Sequence, residues 1–204
     1  MNNLYKFRGY ILGLLAILLL AMPGVGFPSK QALDQSTGSF YYFMLWAPFV
    51  LAETLFLLSV LLRIQARRSI GEHTRGSEHA ADRLVTWGVY SKIRHPLYLS
   101  NTGVGISFAL IHLGFAWETA LISAVLVVYE FVLSRMEDSF LENRFQDEWR
   151  AWKSVTPAFV PWIAPKHECH RGPARSFVES FKSDKSTWIW LCVFFALILL
   201  RKFL

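Results

Sequence analysis

Long apolar stretches constrain the fold of this chain more than any other feature of its sequence. Charged residues are rare in four of them, at residues 7–27, 40–64, 97–133 and 187–200. The third stretch is interrupted between residues 112 and 118, which divides it into two parts. The core of a bilayer, about 30 Å thick, is crossed by roughly 20 helical residues. The pattern predicts an all-α, polytopic integral membrane protein with about five transmembrane helices, at residues 7–26, 40–64, 97–114, 117–134 and 186–203.

The distribution of basic residues predicts how these helices are oriented. Placing the N-terminus in the cytoplasm puts most of the 21 lysines and arginines on the same side, and leaves Lys30, Arg201 and Lys202 outside. The positive-inside rule favours this arrangement. The first apolar stretch is long for a signal peptide, and "AMPGVGFPS" is a poor cleavage site, so we expect a retained helix. The expected location is a bacterial inner membrane.

The net charge of +6 therefore falls on the cytoplasmic side, where anionic lipid headgroups are the expected partners. Nucleic acid is not expected as a partner, because no soluble module with interleaved basic and aromatic residues is present. The two cysteines, Cys169 and Cys192, do not suggest a disulfide. "HECH" at 167–170 is weak evidence for a metal site, and none is predicted. No obligate protein partner is evident either.

Polar residues cluster at the predicted cytoplasmic ends of the third and fourth spans. Arg94, His95 and Tyr98 stand at the start of the third span, and Glu137 and Asp138 follow the fourth. A short turn joins the two spans, so they form an antiparallel hairpin and both clusters lie at the same depth. This arrangement suits a zwitterionic ligand with a carboxylate and an ammonium group. The alternative is a set of interfacial residues that reach toward water at the helix ends.

The sequence after the fourth span predicts a cytoplasmic extension of the same helix. Phe145, Trp149 and Trp152 recur at helical spacing and should share one face. Pro157 and Pro161 should end the helix. Residues 163–185 read as a linker to the last span.

Two motifs resemble a known family. The segment "LVTWGVYSKIRHPLYLSNTG" is followed about forty residues later by "MEDSFLENRFQDEWRAWKSVTPAFVP". Over residues 82–162 this is similar to the isoprenylcysteine carboxyl methyltransferases and their phospholipid N-methyltransferase relatives. The matching positions are Leu84, Val85, Gly88, Tyr90, Arg94, His95, Pro96, Tyr98, Glu137, Phe145 and Pro161. The resemblance implies a membrane enzyme that uses S-adenosylmethionine.

The resemblance also implies which residues form a cytoplasmic cofactor pocket. His95 and Tyr98 would donate hydrogen bonds to the methionyl carboxylate, and Glu137 would pair with the ammonium. Leu84, Val85 and the aromatic face would shelter the adenine. The full set of expected cofactor-binding residues is Leu84, Val85, Tyr90, Arg94, His95, Pro96, Leu97, Tyr98, Glu137, Asp138 and Trp149.

The chain departs from the family pattern at several positions. Asp138 replaces a glutamate, Gln146 replaces a glycine, and Trp149 and Trp152 replace two tyrosines. The prenylcysteine enzymes carry an arginine where this chain has Leu133. These differences leave the methyl acceptor open.

Two residues are candidates for catalysis. Glu130 lies two helical turns before Glu137, and a carboxylate within a span is a functional hypothesis. It could accept a proton from an amine or hydroxyl acceptor, or make a structural hydrogen bond to Asn101 or Ser107. Arg135, if it turns inward, would suit a carboxylate acceptor. Glu53, the other carboxylate in a span, is expected to be structural.

The predicted organisation has three parts. Residues 1–80 hold two spans and a linker, residues 81–165 form the methyltransferase core, and residues 166–204 hold a linker and the last span. The expected activity is methyl transfer from S-adenosylmethionine to a lipophilic acceptor of lipid or isoprenoid type, by carboxyl O-methylation or amine N-methylation. The alternatives are a nicotinamide-dependent membrane reductase of a lipid double bond and a non-catalytic membrane protein.

Overall fold

The computed structural model describes residues 7–25, 39–70, 83–160 and 172–203. Within these ranges the chain is helical and contains no β-strand. The α-helices are α1 (Arg8–Ala21), α2 (Ser39–Ile70), α3 (Pro96–Leu113), α4 (Trp117–Val155), α5 (Phe177–Ser183) and α6 (Lys185–Phe203), and a 3₁₀ turn spans Gly88–Ser91. The all-α class predicted from the sequence is therefore confirmed.

Two of the described helices are long and apolar enough to cross a membrane, namely α2 from Leu45 to Ile70 and α4. A third candidate arises if α5 and α6, which meet at a bend of 67°, are counted as one span. Helix α1 is apolar but has only 14 residues. The number of five spans and the cytoplasmic orientation stay predictions.

The helix boundaries differ from the predicted spans in instructive ways. Helix α1 ends at Ala21, before Pro23, and is shorter than the predicted 7–26. Helix α2 continues to Ile70, beyond the predicted end at residue 64. Helix α4 runs on past the predicted span to Val155, and the predicted stop at Pro157 falls two residues later. The part of α4 from Trp117 to Phe145 is about 43 Å long at 1.5 Å per residue, so it already extends past a bilayer core.

Helix α3 is the central helix, packed against α2 on one side and α4 on the other. The Ser100 hydroxyl donates to the carbonyl of Ser59 at 2.8 Å. At Gly103 the Ser59 hydroxyl occupies the space that a Cβ would need, so only glycine allows this approach of α2. The polar residues of α3 thus face neighbouring helices, which explains why α3 is less apolar than a lipid-facing span.

Two buried clusters hold the helices together. The mid-helix cluster consists of Leu19, Val104, Phe108, Ala109, Leu113 and Ile198. The second, which we call the aromatic cluster, consists of Ala66, Ile70, Leu84, Tyr90, Trp149 and Trp152. Because the aromatic cluster joins the end of α2, the 3₁₀ turn and the end of α4, it fixes the surroundings of the polar residues at the start of α3.

Helix α4 is broken at Gln146, which corrects the prediction of one continuous helix. Gln146 has φ 45° and ψ −111°, a left-handed backbone that favours glycine. Phe145, Trp149 and Trp152 still meet in or against the aromatic cluster, but the break, and not an unbroken helical period, directs them there. The family pattern has glycine at this position, and the backbone angles give the physical reason.

The predicted linker at 163–185 contains helix α5. Ser176 and Glu179 form a capping box, in which each side chain bonds the backbone N–H of the other. The pattern Ser-x-x-Glu before apolar residues is a helix-start signal that the sequence analysis missed. The "HECH" segment at 167–170 lies outside the described residues.

Candidate functional site

The polar site is built at the start of α3. Pro96 occupies the first turn of the helix, where its missing N–H costs no hydrogen bond. His95 precedes it with a non-helical backbone, at φ −121° and ψ 56°, and is only 3% exposed. The histidine side chain therefore projects from the helix end toward α4.

A buried carboxylate on α4 receives these residues. The His95 Nε2 lies 3.0 Å from Oδ1 of Asp138, and the Arg94 Nη2 donates to Oδ2 at 3.1 Å. Asp138 is 4% exposed. One carboxylate thus holds both residues that precede α3, and the hairpin brings the two predicted polar clusters together.

The segment after α4 closes over the same residues. The backbone N–H of Arg94 donates to the carbonyl of Pro157, and that of His95 to the carbonyl of Ala158. The Arg94 Nη1 donates to the carbonyl of Thr156 at 2.6 Å. These contacts were not predicted, because Pro157 was read only as a helix stop.

Glu137 and Tyr98 lie beside His95 on its other side. The Nδ1 of His95 is 3.9 Å from Oε2 of Glu137, and the Tyr98 ring meets the imidazole edge-on with centroids 5.6 Å apart. The Glu137 side chain is 34% exposed, against 5% for that of Asp138. Glu137 is therefore the carboxylate of the pair that a ligand can reach.

The aromatic cluster forms an apolar wall near this polar group. Leu84 and Tyr90 belong to it, and Val85 and Leu97 pack against it. The indole N–H of Trp152 donates to the carbonyl of Tyr90 at 3.1 Å. Burial raises the pKa of Tyr90 above its ordinary value, the charge of Glu137 raises it further, and the charges of Arg67 and Arg63 lower it.

Trp149 is the most deeply buried large side chain of this wall. It is 1% exposed, and the ammonium of Lys153 lies 4.5 Å from the centre of its ring. Its indole N–H has no hydrogen-bond partner among the described residues. A buried donor without an acceptor costs about 1–3 kcal/mol, so this N–H is suited to a ligand.

The two predicted catalytic residues lie in contrasting environments. Glu130 is 1% exposed, and its charge acts on Arg63 of α2. Ser107 and Asn101 were the expected structural partners of Glu130. The Ser107 hydroxyl donates to the backbone carbonyl of Gly103, and the side-chain oxygen of Asn101 accepts from Arg63, so neither of these atoms bonds Glu130.

Arg135 lies on the outside of the site. Its side chain is 60% exposed, and its Nη1 is 3.9 Å from Oδ2 of Asp138. The structure therefore does not turn Arg135 inward, the condition on which its predicted role at a carboxylate acceptor depended.

A second group of buried charged residues was not predicted from the sequence. Asp184, between α5 and α6, accepts from the Nε of Arg63 at 2.5 Å and from the Nη2 of Arg67 at 3.1 Å. Arg63 also donates to Asn101 and to Thr187. The spacing of Arg63 and Arg67, four residues apart, places both on one face of α2 and is visible in the sequence. Nothing in the sequence, however, identifies Asp184, more than a hundred residues away, as their partner.

Long helices with exposed apolar faces define the class of integral membrane proteins, and in this chain the buried polar group lies at the start of α3. Residues 47–148 match the model of the family described as phospholipid methyltransferase, which covers half of the chain. The chain belongs to the phospholipid methyltransferase family, as the sequence motifs predicted.

One curated relative is the cobalt-zinc-cadmium resistance protein CzcN of Cupriavidus metallidurans, 31% identical over 144 residues. The match covers 67% of this chain and 61% of the relative, so the chain spans less than two thirds of that protein. No solved structure matches the chain. Among the described residues, no group of three or more His, Cys, Asp or Glu side chains could hold a metal ion.

Proposed function

We propose that this protein transfers a methyl group from S-adenosylmethionine to the amine of a lipid headgroup. The observation that carries the proposal is the group formed by His95, Asp138 and Glu137 beside the aromatic cluster. It places an accessible carboxylate next to a buried apolar wall, and the donor has an ammonium group and an adenine ring to match them.

The residues present fit the donor. Glu137 is a carboxylate that remains partly exposed and can pair with the ammonium of the methionyl group. The buried N–H of Trp149 has no partner among the described residues and can donate to a ring nitrogen of the adenine. S-adenosylmethionine supplies an activated methyl group on a positively charged sulfur atom.

We assign His95 a positioning role. Both of its ring nitrogens face carboxylates, Asp138 at 3.0 Å and Glu137 at 3.9 Å. A ligand carboxylate placed there would be a third anion around one imidazole, so His95 is better suited to holding Glu137 than to binding the donor's carboxylate. Asp138 and Arg94 in turn fix the imidazole.

The acceptor is proposed to be an amine, because the family's description names phospholipids and an amine is a group that phospholipid headgroups carry. An ammonium headgroup must lose a proton before its nitrogen can attack the methyl group, and a carboxylate within reach can take it. Glu130 lies seven residues from Glu137 on α4, about 10 Å deeper along the helix. Carboxyl O-methylation is the second candidate, and the outward position of Arg135 gives it less support.

The proposal is tested by thermal unfolding of the detergent-solubilised protein with S-adenosylhomocysteine and, separately, with a nicotinamide dinucleotide. A ligand that binds only the folded state stabilises it by about 2.7 kcal/mol at a hundred times its dissociation constant. We expect the midpoint to rise with S-adenosylhomocysteine and to be unchanged by the dinucleotide. A rise with the dinucleotide alone would instead support a reductase.

A second assay identifies the acceptor. The purified enzyme is incubated with methyl-labelled S-adenosylmethionine and a bacterial lipid extract, and the labelled lipids are treated with mild base. Methyl esters are hydrolysed by this treatment, whereas methylamines are stable. Release of the label as methanol would overturn the amine assignment and leave the methyltransferase assignment intact.

A further inference from the structure

A donor with an amino-acid group needs a cation for its carboxylate as well as an anion for its ammonium. Under the proposed function Glu137 supplies the anion. Three arginines are held close to the site by buried carboxylates, and a fourth, Arg135, is exposed at its rim. The hydrogen bonds that each arginine makes within the protein show which of them can still bind a ligand carboxylate.

Arg94 and Arg63 are largely engaged within the protein. Both Nη groups of Arg94 donate to protein oxygens, those of Thr156 and Asp138, which leaves its Nε alone without a partner among the described residues. Arg63 uses all three of its nitrogens, on Asp184, Asn101 and Thr187.

Arg67 differs from both. Within the described part of the chain it makes one hydrogen bond, from Nη2 to Oδ1 of Asp184 at 3.1 Å. Its Nε is buried and has no partner among the residues that the structure describes. A guanidinium has five N–H donors, so most of the donors of Arg67 are available to a ligand. Asp184 is shared with Arg63, which takes its other carboxylate oxygen, so Asp184 engages Arg67 through a single hydrogen bond.

Arg67 also lies close to the aromatic cluster, where the donor is proposed to bind. Its neighbours Ala66 and Ile70 on α2 lie in the aromatic cluster with Tyr90. The charge of Arg67 on α2 and that of Glu137 on α4 both act on the phenol of Tyr90. A cation on one helix and an anion on another therefore both lie near Tyr90, and an amino-acid zwitterion carries the two complementary charges.

We propose that Arg67 binds the carboxylate of the methyl donor, opposite Glu137, with Asp184 holding the guanidinium in place through one nitrogen. Arginine suits this task because its planar fork can bind a carboxylate through two parallel hydrogen bonds. Arg67 was not among the residues expected from the sequence, and the segment that positions it lies outside the part of the chain matched by the family model.

The test compares two ligands by calorimetry on the full-length solubilised protein. One is S-adenosylhomocysteine, and the other is its decarboxylated analogue, which keeps the amine and lacks the carboxylate. We expect Arg67→Gln to weaken binding of S-adenosylhomocysteine about ten- to a hundred-fold, the range for a charged hydrogen bond. Binding of the decarboxylated analogue should change less than two-fold.

Two further variants complete the design. Arg67→Lys keeps the charge without the fork and should recover part of the lost affinity for S-adenosylhomocysteine alone. Arg68→Gln is the matched control, because Arg68 bonds the carbonyl of Arg175 and the side chain of Gln65 and should leave both affinities unchanged. If Arg67→Gln does not fold, the Arg67→Lys comparison decides alone.

Each result has one meaning. Equal losses for both ligands would show that Arg67 only supports the fold, and no loss for either would overturn the assignment. A raised KM for the lipid acceptor with unchanged donor binding would move Arg67 to the acceptor side. If the wild-type protein binds neither ligand, the proposed function itself is wrong, which is distinct from an error about Arg67.

Discussion

Two buried aspartates organise the two sides of this molecule, and they do so with different partners. Asp138 lies between one arginine and one histidine at the start of α3. Asp184 lies between two arginines at the end of α2. An imidazole can release its proton near neutral pH, whereas a guanidinium cannot. Asp138 therefore faces one permanent cation, Arg94, whereas Asp184 faces two, Arg63 and Arg67.

We infer that the Asp138 group has a structural role and that the Asp184 group has a binding role. The Asp138 group is closed by the Thr156–Ala158 segment and is almost completely buried, so its main effect is to fix Glu137 and the start of α3. The Asp184 group leaves donors of Arg67 unused, so it can take up an anion. Glu130 acts on Arg63 and belongs to the second group.

The largest expected effect concerns Glu130. Glu130→Gln keeps the shape and removes the charge, so turnover should fall by about 10²–10⁴ with donor affinity nearly intact, if Glu130 takes the acceptor's proton. Single-turnover methyl transfer to a bacterial lipid extract measures this. Arg135→Ala is the comparison and should change the rate little. A normal rate with lower stability would mean that Glu130 only balances Arg63, and damage from Arg135→Ala alone would favour a carboxylate acceptor.

The next effect compares the two aspartates directly. Asp184→Asn leaves two permanent cations facing each other, and we expect a loss of about 3–5 kcal/mol of stability, as for a broken buried ion pair. Asp138→Asn should cost less, about 2 kcal/mol, because it leaves only one permanent cation, Arg94, without its carboxylate, and Arg94 keeps its bond to Thr156. Unfolding in detergent measures both.

Asp147→Asn serves as the control for both aspartate variants. Asp147 is fully exposed and pairs with Arg150 at the surface, so its loss should cost less than about 1 kcal/mol. If Asp138→Asn proves the more damaging variant, the distinction between one and two permanent cations at the aspartates is wrong.

The third prediction concerns His95. His95→Ala removes the imidazole between Asp138 and Glu137, so the affinity for S-adenosylhomocysteine should fall about ten- to a hundred-fold. Calorimetry on the solubilised protein measures the change. His112, buried at the other end of α3 and bonded to the carbonyl of Met22, provides the control, because His112→Ala should affect stability alone. Unchanged affinity in His95→Ala would remove the positioning role.

The smallest effect concerns the break in α4. Gln146→Gly relieves a left-handed backbone that costs a residue with a side chain about 1–2 kcal/mol, offset in part by the greater flexibility of glycine in the unfolded chain. We expect a gain of about 0.5–1 kcal/mol in unfolding free energy. Glu148→Gly, at an exposed helical position two residues later, should lose about 1 kcal/mol instead. A loss in both variants would show that the angles at Gln146 do not favour glycine.

Much of the fold could be predicted because its signals are local. The start of α3 at Pro96, the short turn between α3 and α4, and the end of α4 before Pro157 all follow from residues next to each other in the chain. The contact of His95 with Asp138 followed from the hairpin, because two antiparallel helices place their ends at one depth.

The remaining features depend on contacts that no local pattern encodes. Arg63 and Asp184 are 121 positions apart, and either could have been a solvated surface charge. The break at Gln146 was hidden because glutamine is a good helix former, and only the backbone angles reveal the conformation. The sequence could name the residues of the polar site, but it could not show that both nitrogens of His95 face carboxylates.

The pairing of Asp184 with Arg63 and Arg67 also has an evolutionary consequence. A substitution that neutralises Asp184 leaves both arginines without their shared carboxylate, whereas one that neutralises an arginine leaves Asp184 paired with the other. Natural variation at these three positions should therefore be correlated: relatives without the acidic residue should also lack at least one of the arginines. Whether a substitution of Asp184 is tolerated then depends on which residues occupy positions 63 and 67 of α2. Chimaeras that exchange the C-terminal segment between relatives should function only when Asp184 and both arginines come from the same parent.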